Sequence, residues 1–348
     1  MTNSVMVLGG YGNFGKRIAD GLRTRGVPVI IAGRDPKRAE ACFDLNTGLG
    51  EALAQYRPAV VVHTAGPYQG TDYHVAKTCI AAGVHYVDLS DARDFVVGFG
   101  ALDAEARAAN VTAISGASTV PCLSSAVIDH VRDRFATLDE VDCGICPGQG
   151  AERGLATTAA ILSYVGQPLK PFAGHPKAYG WQGLRRHRFP HLGPRLMGDC
   201  DIPDLDLLPA HYGLKSIRFG AGLELGFIHL GLWALSWTVR WRLLPFPLPK
   251  LATPLLKAAD LFDPLGSDDG GMFMVLSGTG HDGQPKQIDW HIIAKDGDGP
   301  QIPSVPAILL AERLAKGEPL APGARSSLGQ ISLDDYLAAL KPFNIVTA

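Results

Sequence analysis

The chain has 348 residues, 46% of them hydrophobic and 19% charged, with a net charge of −2. That length favours two domains with ample core, and the composition excludes an extended disordered protein. The near-neutral balance gives no electrostatic case for binding nucleic acid.

The N-terminus runs straight into an apolar strand, with no basic region and no small-residue cleavage site, so no secretory signal is expected. Six cysteines in a chain this long do not suggest a disulfide framework. They read as reduced in a cytoplasmic protein. Cys143 and Cys146 have C-x-x-C spacing. No second pair completes a zinc ribbon, and in a strand residues three apart point to opposite faces. They read as small apolar fillers, and no metal site is expected.

Ser4 to Leu8 is a short apolar run, read as a buried strand. Gly9-Gly-Tyr-Gly-Asn-Phe-Gly15 follows, then a helix from Lys16 with Ile18 and Leu22 four apart on one face. Strand, glycine turn and helix are the setting the dinucleotide fingerprint needs, and Gly10, Gly12 and Gly15 supply its G-x-G-x-x-G. Gly10 and Gly12 let the backbone turn and approach a pyrophosphate, and Gly15 lets the helix pack on the sheet. The helix start, with Asn13 and Phe14, offers amides and the positive end of the helix dipole.

Val27 to Ala32 is a second strand, ending in Ala32-Gly-Arg-Asp35 with Lys37 and Arg38 just beyond. A site for NAD places an acid there to accept from the ribose hydroxyls. Gly33 removes the side chain where that acid would stand, and Arg34 can grip a 2′-phosphate bidentately. The cofactor expected is therefore NADP(H). Asp35 reads as the N-cap of a helix with Pro36 at its first position, running to Cys42, and Phe43 to Asn46 would close a third strand.

Ala59 to His63 is a continuously apolar fourth strand, of the kind covered on both faces. Tyr73 to Ala82 is helical, Val84 to Asp88 a fifth strand, Ala101 to Ala109 a helix and Val111 to Ile114 a sixth strand. The rhythm predicts an α/β protein whose N-terminal domain is a Rossmann doubly wound parallel sheet.

After Gly116 the rhythm breaks. Leu123 to Phe135 reads as helix, Val141 to Ile145 as strand and Leu155 to Val165 as helix. Residues 168–212, rich in Pro, Gly, His and Arg, read as mostly loop. Met272 to Leu276 and Gln287 to Ala294 flank a glycine-rich turn, and the second alternates with period two, which predicts a hairpin. Pro306 to Lys316 and Leu333 to Leu340 are amphipathic helices. The expected division is a dinucleotide-binding domain over 1–120, an α+β substrate domain with antiparallel strands over 121–304, and C-terminal helices over 305–348 that pack back on the first domain.

Within 223–248 the uncharged core Leu225 to Val239 is too short for a bilayer span, which needs ~20 residues. Three readings stay open: the wall of an apolar substrate cavity, a homodimer interface, or peripheral membrane contact anchored by Trp233, Trp237 and Trp241 with Arg240 and Arg242.

GGYGNFG, AGRD, Thr64-Ala-Gly-Pro-Tyr-Gln69, Tyr86-Val-Asp-Leu-Ser-Asp91 and Gly116-Ala-Ser-Thr-Val-Pro121 together resemble the saccharopine dehydrogenase-like family of NADPH-binding reductases. By that resemblance Thr64, Ala65, Gly66, Pro67 and Tyr68 run past the nicotinamide half of the cofactor. Asp88, Ser90 and Asp91 lie near its ring. Lysine-pathway members reduce an imine of a polar amino-dicarboxylate, and others look like enoyl reductases of lipid-like chains. This chain carries the apolar 223–248 segment, and its one tight arginine group, Arg185, Arg186 and Arg188, falls in a loop-like stretch. A small-molecule substrate of apolar character is therefore expected.

Catalytic candidates are Tyr68, as proton donor or packed aromatic, and Asp88 and Asp91, as orienting groups or caps of the helix beginning near Ala92. Cys122 reads as an inert thiol and His63 as a core histidine. Tyr73 and Lys77 imitate a Tyr-x-x-x-Lys pair in the wrong context. The whole points to an NADPH-dependent oxidoreductase acting on a C=C, C=N or C=O bond. An NADPH-binding sensor or scaffold without turnover is the alternative.

Overall fold

Short runs of valine, isoleucine and alanine, broken by glycine turns, pair edge to edge in the first part of the chain. The structure, a computed structural model, describes residues 3–348. Val5–Leu8 (β1), Val29–Gly33 (β2), Ala41–Cys42 (β3), Val60–His63 (β4), His85–Asp88 (β5) and Thr112–Ser115 (β6) alternate with helices. The helices are Asn13–Thr24 (α1), Leu49–Tyr56 (α2), His74–Ala81 (α3), Arg93–Gly98 (α4) and Asp103–Ala108 (α5). These strands join Gly323–Ser326 in one parallel sheet, ordered Gly323–Ser326, β6, β5, β4, β1, β2, β3. The strand order reverses between β1 and β4, and the carboxyl ends there are where doubly wound sheets bind ligands. β1, β4 and β6 are buried along their whole length, as strands covered on both faces are.

Two expectations fail beside β2. No helix runs from Pro36 to Cys42. The Asp35 carboxylate instead accepts from the Lys37 amide at 3.0 Å, and the Arg38 and Ala39 amides return to the Asp35 carbonyl, closing a turn. The Glu40 amide then donates to the Ile31 carbonyl, drawing the chain onto the sheet as β3. That strand is only Ala41–Cys42, and residues 43–46 lie outside it. The local hydrogen bonds of Asp compete with helix formation, and here the turn wins.

The chain up to Leu123 and Gln301–Ile331 form one compact unit; Ser124–Pro300 and Ser332–Ala348 form the other. In the first unit the helix Gln301–Ala315 packs on α1. A Cβ at Gly21 would stand 2.5 Å from Ile308 Cδ1, and Arg25 pairs with Glu312 at 3.0 Å.

The second unit contains Ser124–Val131 (α6), Thr137–Cys146 (β7), Leu155–Tyr164 (α7), Arg185–Phe189 (β8), Gly193–Asp199 (β9) and Asp204–Tyr212 (α8). Ser216–Leu223 (β10), Gly226–Arg240 (α9), Ala252–Asp260 (α10), Gly270–Thr279 (β11) and Pro285–Ala294 (β12) follow, with Leu333–Leu340 and Ile345–Thr347 closing it. Its mixed sheet runs Ile345–Thr347, β12, β11, β7, β10, β9, β8, antiparallel except where β10 meets β7. The hairpin forms as expected, with β11 and β12 paired from Gly270 opposite Ala294 to Thr279 opposite Pro285.

β8 and β11 are four strand steps apart, which would separate them by about 19 Å in a flat sheet. Yet the His187 ring stacks on Phe273 with centroids 3.5 Å apart. The sheet therefore curls until β8 comes against β11, around Cys146, Phe189, Met197, Phe273 and Ile293. The stretch 168–212, read as loop, holds β8, β9 and α8. Polar residues on the inward face of β8 hide its alternation: Arg185 pairs with Asp142 at 3.1 Å and Asp199 at 3.0 Å, and His187 stacks as above. Cys143 and Cys146 are buried free thiols, and burial pushes the Cys146 pKa up to about 12.

Gly21→Leu should separate the helix Gln301–Ala315 from α1. The expected loss is about 1–3 kcal/mol of stability, read by urea unfolding, whereas Ile308→Ala in the same background should recover part of it.

Candidate dinucleotide site

The β1–α1 turn is built by close approach. The Gly9 amide donates to the Ala32 carbonyl at 2.8 Å and the Gly12 amide to the Gly9 carbonyl at 2.9 Å. Gly9 has φ +76°, a conformation that favours glycine. A Cβ at Gly15 would lie 2.2 Å from the Gly9 carbonyl oxygen and 2.8 Å from Thr64 Oγ1, and one at Gly10 would lie 2.9 Å from the Val7 carbonyl oxygen. Gly12 is looser; its Cβ would meet only the Gly9 oxygen, at 3.2 Å. Gly12 is also the N-cap of α1, and no side chain caps that helix. A cradle with no room for side chains, at the uncapped positive end of a helix that begins Asn13-Phe14-Gly15, fits a pyrophosphate.

At the end of β2 the structure revises the reason for Gly33. The Tyr11 ring lies across it, so a Cβ there would stand 2.4 Å from Tyr11 Cε1. The Tyr11 hydroxyl accepts from the amides of Arg34 at 3.0 Å and Asp35 at 3.1 Å. Arg38 stacks over the same ring at 4.5 Å and donates to the Tyr11 carbonyl at 2.9 Å. Arg34 is exposed, and its guanidinium has no hydrogen bond or ion pair among the described residues. Tyr11 and Arg38 were not singled out from sequence as cofactor contacts. The signal was present, since a glycine inside a β-branched strand marks close backbone approach.

The exits of β4 and β5 complete the carboxyl edge. Leu8 stands opposite both Ala32 and His63, and His63 opposite Asp88. Thr64 Oγ1 donates to the Leu8 carbonyl at 2.8 Å, tying the β4 exit to β1. Ala65 is half-buried, and Gly66 and Pro67 are exposed.

Tyr68 is buried, 5.1 Å from the His63 ring and 5.4 Å from Phe95. Its hydroxyl donates to the His63 carbonyl at 2.7 Å. Burial first, then the carboxylates of Asp88 and Asp91, hold its pKa well above the ordinary tyrosine value. A proton donor works best with a pKa near the working pH, so this geometry is that of the packed aromatic. His63 is a core histidine, 3.0 Å from the Tyr86 hydroxyl, and burial lowers its pKa to about 4. Cys122 is buried, and the Tyr73 hydroxyl is engaged with the Phe95 carbonyl.

Asp88 is fully buried, and its Oδ1 accepts from the Ser90 amide at 2.9 Å, the Gly116 amide at 2.9 Å and the Ser115 hydroxyl at 3.0 Å. It clamps the exits of β5 and β6 together. Burial raises its pKa to about 6, with the Gly116 and Ser90 amides opposing. Ser90 is buried, and its hydroxyl accepts from the Ala92 amide at 3.2 Å. Asp91 is exposed and accepts from Gln69 Nε2 at 3.2 Å. Neither aspartate caps α4, whose N-cap is Ala92 without a side-chain bond.

Residues 5–114 match the family model of the saccharopine dehydrogenase NADP binding domain. Among solved structures, the chain is similar to apo saccharopine dehydrogenase (L-Glu forming) from Saccharomyces cerevisiae. Identity is 13%, coverage is 99% of both chains and the TM-score is 0.64. Looser likenesses join it to a meso-dapdh mutant with DAP from Clostridium tetani E88 (12% identity, 98% of this chain and 99% of that one, TM-score 0.49). An amine dehydrogenase from Mycobacterium smegmatis is similar at 12% identity, over 92% of this chain and 94% of that one, with a TM-score of 0.48. At such identities these likenesses are of fold. No curated protein matches the chain.

Two outcomes test the geometry of this carboxyl edge. Gly15→Ala should force the Gly9 carbonyl and Thr64 apart, lowering stability by about 1–3 kcal/mol and abolishing dinucleotide binding in a fluorescence titration. Asp88→Asn removes a carboxylate whose pKa rises from 3.8 unfolded to about 6 folded. The wild type binds the extra proton when folded, so it loses stability as pH climbs through that window. The variant does not, so the variant-minus-wild-type stability should rise from pH 4 to 6 by about 3 kcal/mol and then level off. A pH series of unfolding curves reads it.

Proposed function

We propose that the chain is an NADPH-dependent reductase of a small apolar or lipid-like substrate, reducing a C=C, C=N or C=O bond. The observation that carries this is the uncapped α1 N-terminus behind the glycine cradle, with the unpaired Arg34 at the neighbouring strand end. Bound NADPH would supply the hydride. Gly10, Gly12 and the α1 amides at Asn13, Phe14 and Gly15 would hold its pyrophosphate. Arg34 would take the 2′-phosphate, with Tyr11 fixing the amides of Arg34 and Asp35 and Arg38 stacked behind. Thr64, Ala65, Gly66, Pro67 and Ser90 would border the nicotinamide half.

Asp88 and Tyr68 act in this reading as positioning residues. Asp88 holds the loops that start at Ser90 and Gly116, and Tyr68 pins the β4 exit to the His63 carbonyl. The exposed Asp91 is the group that would touch substrate. Apolar character is supported by the second unit, where Arg185 is spent on Asp142 and Asp199 and is not free to take an anionic substrate group.

The engaged Tyr68 hydroxyl and the buried Asp88 also favour a second reading, a binder of NADPH without turnover. NADPH oxidation with a panel of enones, imines and ketones separates the two.

Arg34→Ala should weaken NADPH about 10- to 100-fold, the worth of a charged hydrogen bond of ~1.5–3 kcal/mol, and leave NADH unchanged. Paired fluorescence titrations of wild type and variant measure it. Equal losses for both cofactors would remove Arg34 from the 2′-phosphate, and a wild type that binds neither would end the reductase reading.

A further inference from the structure

Helix α9 is turned inside out. Its fully buried side chains, His229 and Ser236, are polar and two turns apart on the inward face. Its outward face carries Phe227, 53% exposed, and Leu230, 43% exposed, and the chain leaves it at Trp241, 63% exposed. The half-buried Trp233 and Trp237 and the exposed Trp241 form a ridge along its flank, with successive ring centroids 6.1 and 5.3 Å apart. The turn beyond adds Leu243 and Phe246. The Phe227 ring meets Phe262 at 5.2 Å, which joins the helix to Leu261, 78% exposed, and Leu265, 66% exposed. Soluble surfaces rarely present so continuous an apolar face without a partner.

The charge beside this face has one sign. From Leu225 to Ala259 there is no Asp or Glu, while Arg240, Arg242, Lys250 and Lys257 are present. Arg242, Lys250 and Lys257 are exposed and form no ion pair among the described residues. The next acids, Asp260 and Asp263, are both held by Arg153. An isologous dimer would set these cations against their own copies across the two-fold axis. A surface of lipid phosphates offers the opposite charge.

We propose that this face docks in the plane of an anionic lipid bilayer. The tryptophan ridge and the exposed Phe and Leu side chains enter the headgroup boundary, and the cations lie against lipid phosphates. The helix lies in the surface and does not cross it. Its 15 residues reach ~22 Å, short of the ~30 Å hydrocarbon core, and no described helix is long and apolar enough to span.

Flotation of the full chain with phosphatidylcholine vesicles, alone and with roughly a third phosphatidylglycerol, tests this without any cofactor. The chain should float with the anionic vesicles and stay in solution with the neutral ones. Lys250→Gln with Lys257→Gln should weaken partitioning about 25-fold, at about fivefold per cation. Phe227→Ser with Leu261→Ser and Leu265→Ser should abolish it while the near-ultraviolet circular dichroism stays that of the wild type. A wild type left in solution with both vesicles would overturn the proposal, as would a triple variant that floats equally well. So would a sedimentation dimer that the triple variant splits, which would give the face to a second copy of the chain.

Discussion

The closest backbone approach at the carboxyl edge of the parallel sheet is that of α1 to its own preceding turn. Gly15 sits where any side chain would strike the Gly9 carbonyl and the Thr64 hydroxyl. Thr64 in turn is bonded to the Leu8 carbonyl, so one contact fixes β1, α1 and the β4 exit together. The helix start lands beside the switch point because of that contact, and its amides face the turn because no side chain caps them. A methyl group at Gly15 would act on all three elements at once, whereas Gly12 tolerates more, since its neighbour is 3.2 Å away.

A second constraint is electrostatic. β5 and β6 end at different points of the sheet edge, and a single buried carboxylate holds both. Asp88 is satisfied on Oδ1 by two amides and a hydroxyl, yet burial still raises its pKa. Desolvation outweighs these hydrogen bonds here. His63, one strand over, is shifted the opposite way by the same cause. Both groups therefore stand further from their charged forms than they would in water.

What could be read in the sequence follows from how local the governing interaction is. The parallel strands announced themselves as apolar runs, and the glycine turn as a spacing. The helix expected after Asp35 failed because a turn bond from its own carboxylate competed, and propensity does not decide such a contest. The role of Gly33 was half legible: the missing side chain was plain, but the Tyr11 ring that occupies the space comes from another element. β8 escaped because its inward positions are Arg185 and His187, whose partners sit on other strands of a curled sheet. Tyr68 could be placed at a strand exit, but the direction of its hydroxyl depends on the His63 carbonyl and could not be read.

The same distinction separates the two ends of the molecule's chemistry. In the first unit, polar groups are inside because backbone geometry supplies their partners: Asp88 has amides, and Tyr68 a carbonyl. In α9 the inward polar side chains have partners within the second unit, Ser236 accepting from Gln182 Nε2 at 3.2 Å and His229 lying against the Trp181 ring at 5.2 Å, but the exposed Phe227 and Leu230 and the exposed Trp241 beyond them face outward. A helix that spends tryptophan and phenylalanine on its outer face gains nothing from water there. The three unpaired cations alongside, Arg242, Lys250 and Lys257, would gain little from one another either. Both costs fall together only against a medium that is apolar a few ångströms in and negatively charged at its rim, which is the physical profile of a lipid headgroup layer.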